Sequence, residues 1–411
     1  MNTISDVKKN ECTGCLACYN VCPKKAIEII QDEKGFYFPQ IDKKKCINCG
    51  ICYKTCPSLN KKKYNEECSN IIAAWSKNEE ERKKSTSGGI SFLISKKFIE
   101  NGGIVYGSII DDNYKIIHKR IENDTDLEKM RGSKYVQSNI GDTFCMVKKD
   151  LKEGKKVLFT GTPCQISGLK SYLKKEYENI FLIDIICHGT PSPMIFEKYI
   201  HFIMDKYHEH GIIKQINFRY KKPNWEKFSM NIVFSDGFTY NQDMYHDYFL
   251  RSFLENYITR ECCHSCIYTS LNRCGDITLA DFWSYISNNY KYRNNNKGIN
   301  LVLINNLKGE QLIKLIDNEI ISIKKSKKDA LRSNKCLYSP YSANKDEKDY
   351  WKKFKENEDI ETFFSTFFKK EKKLSLKYKL INFYMNHAYL FIKPIQNKMN
   401  LIIDKKRNIE K

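Results

Sequence analysis

Three observations predict a mixed α/β chain made of a cysteine-rich amino-terminal module, an α/β body and a helical tail. Eight of the 17 cysteines fall in two tight runs before residue 57. Between residues 70 and 310, short apolar runs alternate with amphipathic stretches, the pattern of strands interleaved with helices. Beyond residue 310 the chain becomes polar and helical in pattern, and its end is basic. The boundaries read from these shifts are 1–62, 70–155, 156–325 and 336–411, with a charged linker, KKKYNEECSN, after the first.

The chain has 411 residues, enough for two or three domains, and 41% hydrophobic with 29% charged residues describes a globular protein rather than a disordered one. The opening MNTISDVKKNECTGC has no apolar leader segment, and no run of about 18 apolar residues occurs. A reducing cytoplasm is the expected compartment, because free thiolates persist there. The net charge of +21 raises the question of nucleic acid, but no nucleic-acid motif accompanies it and none is expected as a partner. The excess gathers at the end, where residues 369–411 hold twelve Lys and Arg against three Asp and Glu. Such a tail suits either a peripheral position at an anionic membrane surface or docking on its own protein or a partner subunit.

In the first module, Cys12, Cys15, Cys18 and Cys22 precede Pro23 with spacings of two, two and three residues, and Cys46, Cys49, Cys52, Cys56 and Pro57 repeat the run. This is the bacterial dicluster ferredoxin pattern, in which the fourth cysteine of each run ligates the other cluster. Two 4Fe-4S clusters are therefore expected, one on Cys12, Cys15, Cys18 and Cys56, the other on Cys46, Cys49, Cys52 and Cys22. Gly14, Ala17 and Gly50 are small enough for the backbone to wrap closely and aim N–H groups at sulfur. A pair of zinc sites would use CxxC spacing but does not explain the duplicated run ending in Cys-Pro.

Along the body, Ile90, Leu93, Ile94 and Phe98 mark one helix face, Asn101-Gly102-Gly103 ends it, and Ile104 to Ile110 reads as a strand. KVLFT, QISGLKSYLKKEY and IFLIDIICHG, within 156–189, read as strand, helix and strand of a parallel βαβ unit. Residues 213–240 alternate like antiparallel strands with a turn at Asp236-Gly237. Cys164 and Cys187 each follow the carboxyl end of a strand of the βαβ unit, so they share one crevice. Cys263 and Cys266 supply a CxxC pair able to complete a four-thiolate site; the alternative is that Cys164 and Cys187 are buried small hydrophobes.

STSGG, RGSKYVQS, LFTGTPCQISGL, DIICHGTPSP, CHSC and DITLADFW together resemble the coenzyme F-420 hydrogenase/dehydrogenase beta-subunit family, over roughly residues 1–310. The resemblance implies a bacterial-type dicluster ferredoxin module followed by an α/β flavin/iron-sulfur domain. It implies a third 4Fe-4S cluster on Cys164, Cys187, Cys263 and Cys266, and a flavin, FAD or FMN. Cys262 and Cys274 are extra thiols able to replace a ligand, and Ala280 stands where the family pattern has glycine. Ser87, Gly88 and Gly89 at a helix start form a candidate phosphate site, against the plainer reading of an N-cap. Arg131, Lys134, Tyr135 and Gln137 offer charge, a ring and an amide to a flavin. His188 either bonds cluster sulfur, relays a proton or simply packs. Asp276 and Asp281 flank a strand rather than forming a catalytic pair, and no catalytic residue is assigned. No GxGxxG follows a strand, so no nicotinamide fingerprint is present.

The expected activity is a flavin-dependent iron-sulfur oxidoreductase, with an electron donor or acceptor protein as partner. The alternative is an electron-transfer subunit of a larger redox or polysaccharide-biosynthesis assembly, without a catalytic site of its own.

Overall fold

The computed structural model describes residues 2–61, 68, 70–287, 289, 295–357 and 359–369. Most of the basic tail, and with it the membrane-surface expectation, therefore lies outside the described residues. Residues Met1–Trp351 form one compact unit and Lys352–Lys411 a second. In the second, the Ile360–Lys369 helix brings Phe363 and Phe367 into ring contact, with centroids 5.8 Å apart. Among the described residues no helix is long and apolar enough to cross a membrane.

The first unit is mixed α/β. Strands β1 (Ile27–Gln31) and β2 (Tyr37–Ile41) form an antiparallel hairpin beside the short helices Ala17–Val21 and Ile51–Thr55. The body is an eight-stranded sheet. In chain order its strands are β3 (Asn70–Ser76), β4 (Ile104–Ile110), β5 (Ile116–Ile121), β6 (Val157–Gly161) and β7 (Ile180–Ile185). A separate three-stranded antiparallel sheet holds β8 (Ile213–Tyr220), β9 (Ser229–Phe234) and β10 (Thr239–Asp243). The large sheet then takes up β11 (Ile277–Asp281), β12 (Asn300–Ile304) and β13 (Ile320–Lys324). Its order is β13-β3-β12-β11-β7-β6-β4-β5, so residues 70–155 and 156–325 contribute strands to one sheet.

Val157–Gly161, the helix Pro163–Leu173 and Ile180–Ile185 form the expected parallel βαβ unit. Thr162 caps that helix, with its N–H donating to Gln165 Oε1 at 2.9 Å, and Pro163 fits the first turn because no N–H is needed there. The Asp236-Gly237 turn joins β9 to β10 as expected. The segment after residue 310 is not wholly helical: Ile320–Lys324 is an edge strand on β3, with Ile320 buried, Ile321 and Ile323 half-buried and Ser322 and Lys324 exposed. A five-residue strand with one apolar face carries too weak a period to stand out in a polar stretch.

β4, β6, β7 and β11 are parallel neighbours, so their carboxyl ends open on one side of the sheet. There β7 is tied to the following segment by a buried ion pair. Asp184 is fully buried, and Arg273 Nη2 donates to its Oδ1 at 3.2 Å. Asp184 Oδ2 also accepts from the backbone N–H groups of Cys274 and Gly275 at 3.1 and 3.0 Å. Arg273 further donates to the carbonyls of Tyr268, Ser270 and Ile185. Removing one member of such a pair leaves a buried charge uncompensated. Asp184→Asn, which keeps the size and drops the charge, should lower the unfolding free energy by about 3–5 kcal/mol. Denaturant melts measure this; a loss under about 1 kcal/mol would remove the pair from its structural role.

Candidate functional site

Four groups of side chains converge in the first unit, beginning with the two cysteine runs. Cys12, Cys15, Cys18 and Cys56 surround one small cavity, and Cys22, Cys46, Cys49 and Cys52 surround another. The last cysteine of each run has thus crossed to the other set. Backbone N–H groups point at the sulfurs: Ala26 donates to Cys22 Sγ at 3.3 Å, and Ala17, Tyr53 and Leu59 donate to Cys15, Cys52 and Cys56. Burial, with neighbouring thiols adding to it, pushes Cys15 up to about 12 and Cys18 well above the ordinary thiol range. Crowded, desolvated thiols aimed at by N–H donors fit a cationic iron core, whose charge would hold them as thiolates. Among the described residues no group of three His, Cys, Asp or Glu forms a site for a lone metal ion.

The two sets differ in access. Cys12, Cys15, Cys18 and Cys56 are buried, whereas Cys49 is exposed and Ile47 beside it is 58% exposed. The buried set faces the body. A Cβ on Gly168, in the Pro163–Leu173 helix, would stand 3.0 Å from Cys15 Sγ, so the absent side chain lets the helix lie directly on that thiol.

A third cavity, of about 260 Å³, opens beyond it. Cys164, Cys187, Cys263 and Cys266 all line it, so the structure brings together the four cysteines the sequence singled out. Cys262 and Cys336 line it too, while Cys274 does not; Cys274 is buried in the core, its backbone held by Asp184. Asn10, Glu11, Thr13, Ser58 and Lys61 of the amino-terminal module complete the wall. Burial pushes Cys164 up to about 12 and Cys187 well up, whereas a hydrogen bond from Cys262 lowers Cys263. The N–H groups of Gly189 and Tyr268 are aimed at Cys187 and Cys266, as in the first two sets. Cys336 escapes sequence reasoning because it stands alone, in NKCLY, with no spacing to mark it.

The fourth group is a cavity of about 640 Å³ at the carboxyl ends of β6, β7 and β11. Thr162, Cys187, His188, Gly189, Thr190 and Cys336 line both this cavity and the thiol cavity, so one wall separates the two. His188 is held in that wall, stacked on Tyr341 with ring centroids 3.9 Å apart and bonded to Asn256 Oδ1 at 2.8 Å. Burial lowers its pKa, which favours the neutral ring.

Of the proposed flavin contacts, Ser87, Gly89, Arg131, Lys134 and Tyr135 line the larger cavity. Their polar atoms are already engaged. Ser87 Oγ donates to Ile299 O at 2.9 Å, and Arg131 pairs with Glu81 and Glu128 at 2.7 Å each while lying over Phe92. Lys134 Nζ donates to the carbonyls of Met130, Arg131 and Gly132, and burial lowers it to about 7. Tyr135 Oη accepts from Arg219 at 2.9 Å. Gly88 packs on the sheet, where a Cβ would meet Ala74 O at 2.5 Å. Gln137 is not in this cavity; its Oε1 accepts from Tyr37 N–H and Arg260 Nη1 at the seam with the amino-terminal module.

Sequence reasoning misses most of the cavity wall. His118 and Ser138 pair at 2.6 Å, and because Thr160 O can only accept, His118 carries its proton on Nε2. Arg219 is buried against Asp281 at 3.0 Å and lies over Phe228 and Trp283. Ile185 is 41% exposed and lines the cavity. At the start of the Ile90–Glu100 helix the N-cap Gly89 has no side chain to offer, and Asn300 Oδ1 accepts from Ile90 N–H at 3.3 Å; Ile90, Ser91 and Phe92 there line the cavity.

Residues 11–60 match the 4Fe-4S dicluster domain, and residues 154–329 match the family described as the carboxyl terminus of the coenzyme F-420 hydrogenase/dehydrogenase beta subunit. No curated protein matches the chain. Among solved structures, one similar chain belongs to the xenon-derivatized F-420-reducing nickel-iron hydrogenase complex from Methanosarcina barkeri. It is 17% identical, with 72% of this chain and 96% of that chain covered and a TM-score of 0.44.

These placements separate the extra thiols. Were the thiol cavity to hold a cluster of its own, Cys263→Ala would lower the iron of the reconstituted chain, whereas Cys274→Ala would leave iron and sulfide unchanged. Equal iron in both variants would detach Cys263 from any cluster.

Proposed function

We propose that this chain, which joins a dicluster iron-sulfur domain to a region similar to the carboxyl-terminal part of that beta-subunit family, is a flavin-dependent iron-sulfur oxidoreductase. The observation that carries the reading is the shared wall: six residues line both the thiol cavity and the larger cavity. Cys12, Cys15, Cys18 and Cys56 would hold one 4Fe-4S cluster, Cys22, Cys46, Cys49 and Cys52 a second, and Cys164, Cys187, Cys263 and Cys266 a third. The larger cavity would hold FAD or FMN, with its phosphate at the start of the Ile90–Glu100 helix, where Ser91 and Phe92 line the cavity. Bound there, a flavin supplies the junction between one-electron and two-electron chemistry.

The chain's own residues do the positioning. Ile185 and Trp283 offer apolar surface to a ring system, and Arg219 and Asp281 compensate each other within the wall. His188 is fixed in the partition by its stack on Tyr341 and its bond to Asn256. Asp276 is engaged by Leu182 N–H and Asn306, and Asp281 by Arg219 and Trp225.

The exposed thiol set is the natural point of contact with a donor. Lys24, Lys25, Lys43, Lys44, Lys45 and Lys54 are exposed around or near it, with Lys45 paired to Asp42. Such a rim fits an acidic electron-carrier protein, whose approach it would steer. Reduction by an acidic ferredoxin should slow steeply with added salt and in Lys43→Glu/Lys44→Glu, while reduction by dithionite should keep its rate across those variants. A rate indifferent to both would place donor contact elsewhere.

The flavin itself is tested by anaerobic titration with FAD and FMN. One flavin per chain is expected, and Ile185→Trp, which pushes an indole into the cavity where the ring system would lie, should weaken binding while leaving iron content unchanged. If the wild-type chain binds neither flavin, the alternative of an electron-transfer subunit without its own catalytic site replaces this reading.

A further inference from the structure

Arg260 sits at the seam between the amino-terminal module and the body, and it is 1% exposed. Its Nε donates to the carbonyl of Cys12 at 2.8 Å, and its Nη1 donates to Gln137 Oε1 at 3.2 Å. The same Nη1 would lie 3.1 Å from a Cβ on Gly14, whose φ of +66° and lack of side chain admit the guanidinium into the Cys12–Cys15 loop. On the other side, Arg260 N–H donates to Thr190 O at 3.0 Å, and Cys263 N–H donates to Arg260 O at 2.9 Å. Thr190 and Cys263 both line the third thiol cavity.

The guanidinium lacks a counter-charge. No carboxylate pairs with it among the described residues, and its Nη2 is buried with no hydrogen-bond partner. The Phe38 ring, with its centroid 4.0 Å away, and the Phe36 ring supply cation–π contacts but no formal negative charge. An unpaired buried ion costs several kcal/mol, so a fixed cation in this position needs negative charge close by. The nearest candidates are the two thiol sets: the loop of Cys12, whose carbonyl Arg260 Nε holds, and on the other side Cys263, whose N–H donates to Arg260 O.

We propose that Arg260 is a positioning residue for electron transfer, a buried cation shared by the Cys12 and Cys164 thiol sets that favours one-electron reduction at both. Reduction adds one negative charge to a site without moving a proton, so a neighbouring fixed positive charge raises its midpoint potential. The Cys22 set lies outside this contact and serves as an internal reference. For the body set the inference rests on the third cluster; for the Cys12 set it stands without it.

The test is a redox titration of the full, reconstituted chain followed by electron paramagnetic resonance, with iron counted on the same samples. Two variants are compared. Arg260→Met removes the charge, and Gln137→Glu keeps the arginine but sets a carboxylate against Nη1 with little change of shape. Each should shift the oxidised-to-reduced ratio about tenfold toward oxidised, about 59 mV for a one-electron couple, at the sites beside Arg260. Arg260→Lys, which keeps the charge, should retain most of the wild-type potential, and the Cys22-set signal should hold its potential throughout. About eight irons per wild-type chain would remove the third cluster yet leave the Cys12-set shift as the deciding result. If Gln137→Glu is fully loaded and no potential moves, or if all signals move equally, the proposal is overturned. Should Arg260→Met load poorly, the Gln137→Glu result decides alone.

Discussion

The pair formed by Asp184 and Arg273, 89 positions apart in sequence, is buried directly behind the carboxyl edge of the sheet. Asp184 belongs to the strand that ends two residues before Cys187, and Arg273 follows the turn that carries Cys263 and Cys266. One carboxylate thus fixes two chain segments that approach the third thiol cavity from opposite sides. The parallel pairing of β6 with β7 then delivers Cys164 and Cys187 to the same crevice, as loops at adjacent carboxyl ends must. Cys164, Cys187, Cys263 and Cys266 meet because of this edge; their sequence spacing alone does not bring them together.

The amino-terminal module extends this edge. Gly168 packs on Cys15, Asn20 Nδ2 donates to Gly141 O at 2.8 Å, and Arg260 reaches Cys12, so the buried thiol set is held against the body at several independent points. Residues of the module form part of the third cavity's wall. A ferredoxin-like module on a flexible tether would need a partner-like encounter for each transfer. Here the two thiol groupings belong to one compact unit, and the other set reaches the surface at Cys49.

How much of this can be read from residues alone follows from the range of each contact. The eight amino-terminal cysteines are legible because their spacing is local and duplicated, and the βαβ unit because its apolar period is strong. Ser87, Arg131, Lys134 and Gln137 suggest flavin contacts in the sequence, but their polar atoms are engaged with Ile299, Glu81, the Met130–Gly132 carbonyls and Arg260. Several of those partners lie tens to hundreds of residues away, and no local pattern announces them. Arg219, Trp283 and Cys336 are invisible for the same reason, and β13 because five residues cannot display a period.

Anomalous X-ray diffraction at the iron edge, from crystals of the anaerobically reconstituted chain, addresses the whole series of sites at once. The account predicts three iron peaks: one among Cys22, Cys46, Cys49 and Cys52, one among Cys12, Cys15, Cys18 and Cys56, and one bounded by Cys164, Cys187, Cys263 and Cys266. Two peaks, with the cavity behind Cys187 free of iron although all four thiols are intact, would contradict it.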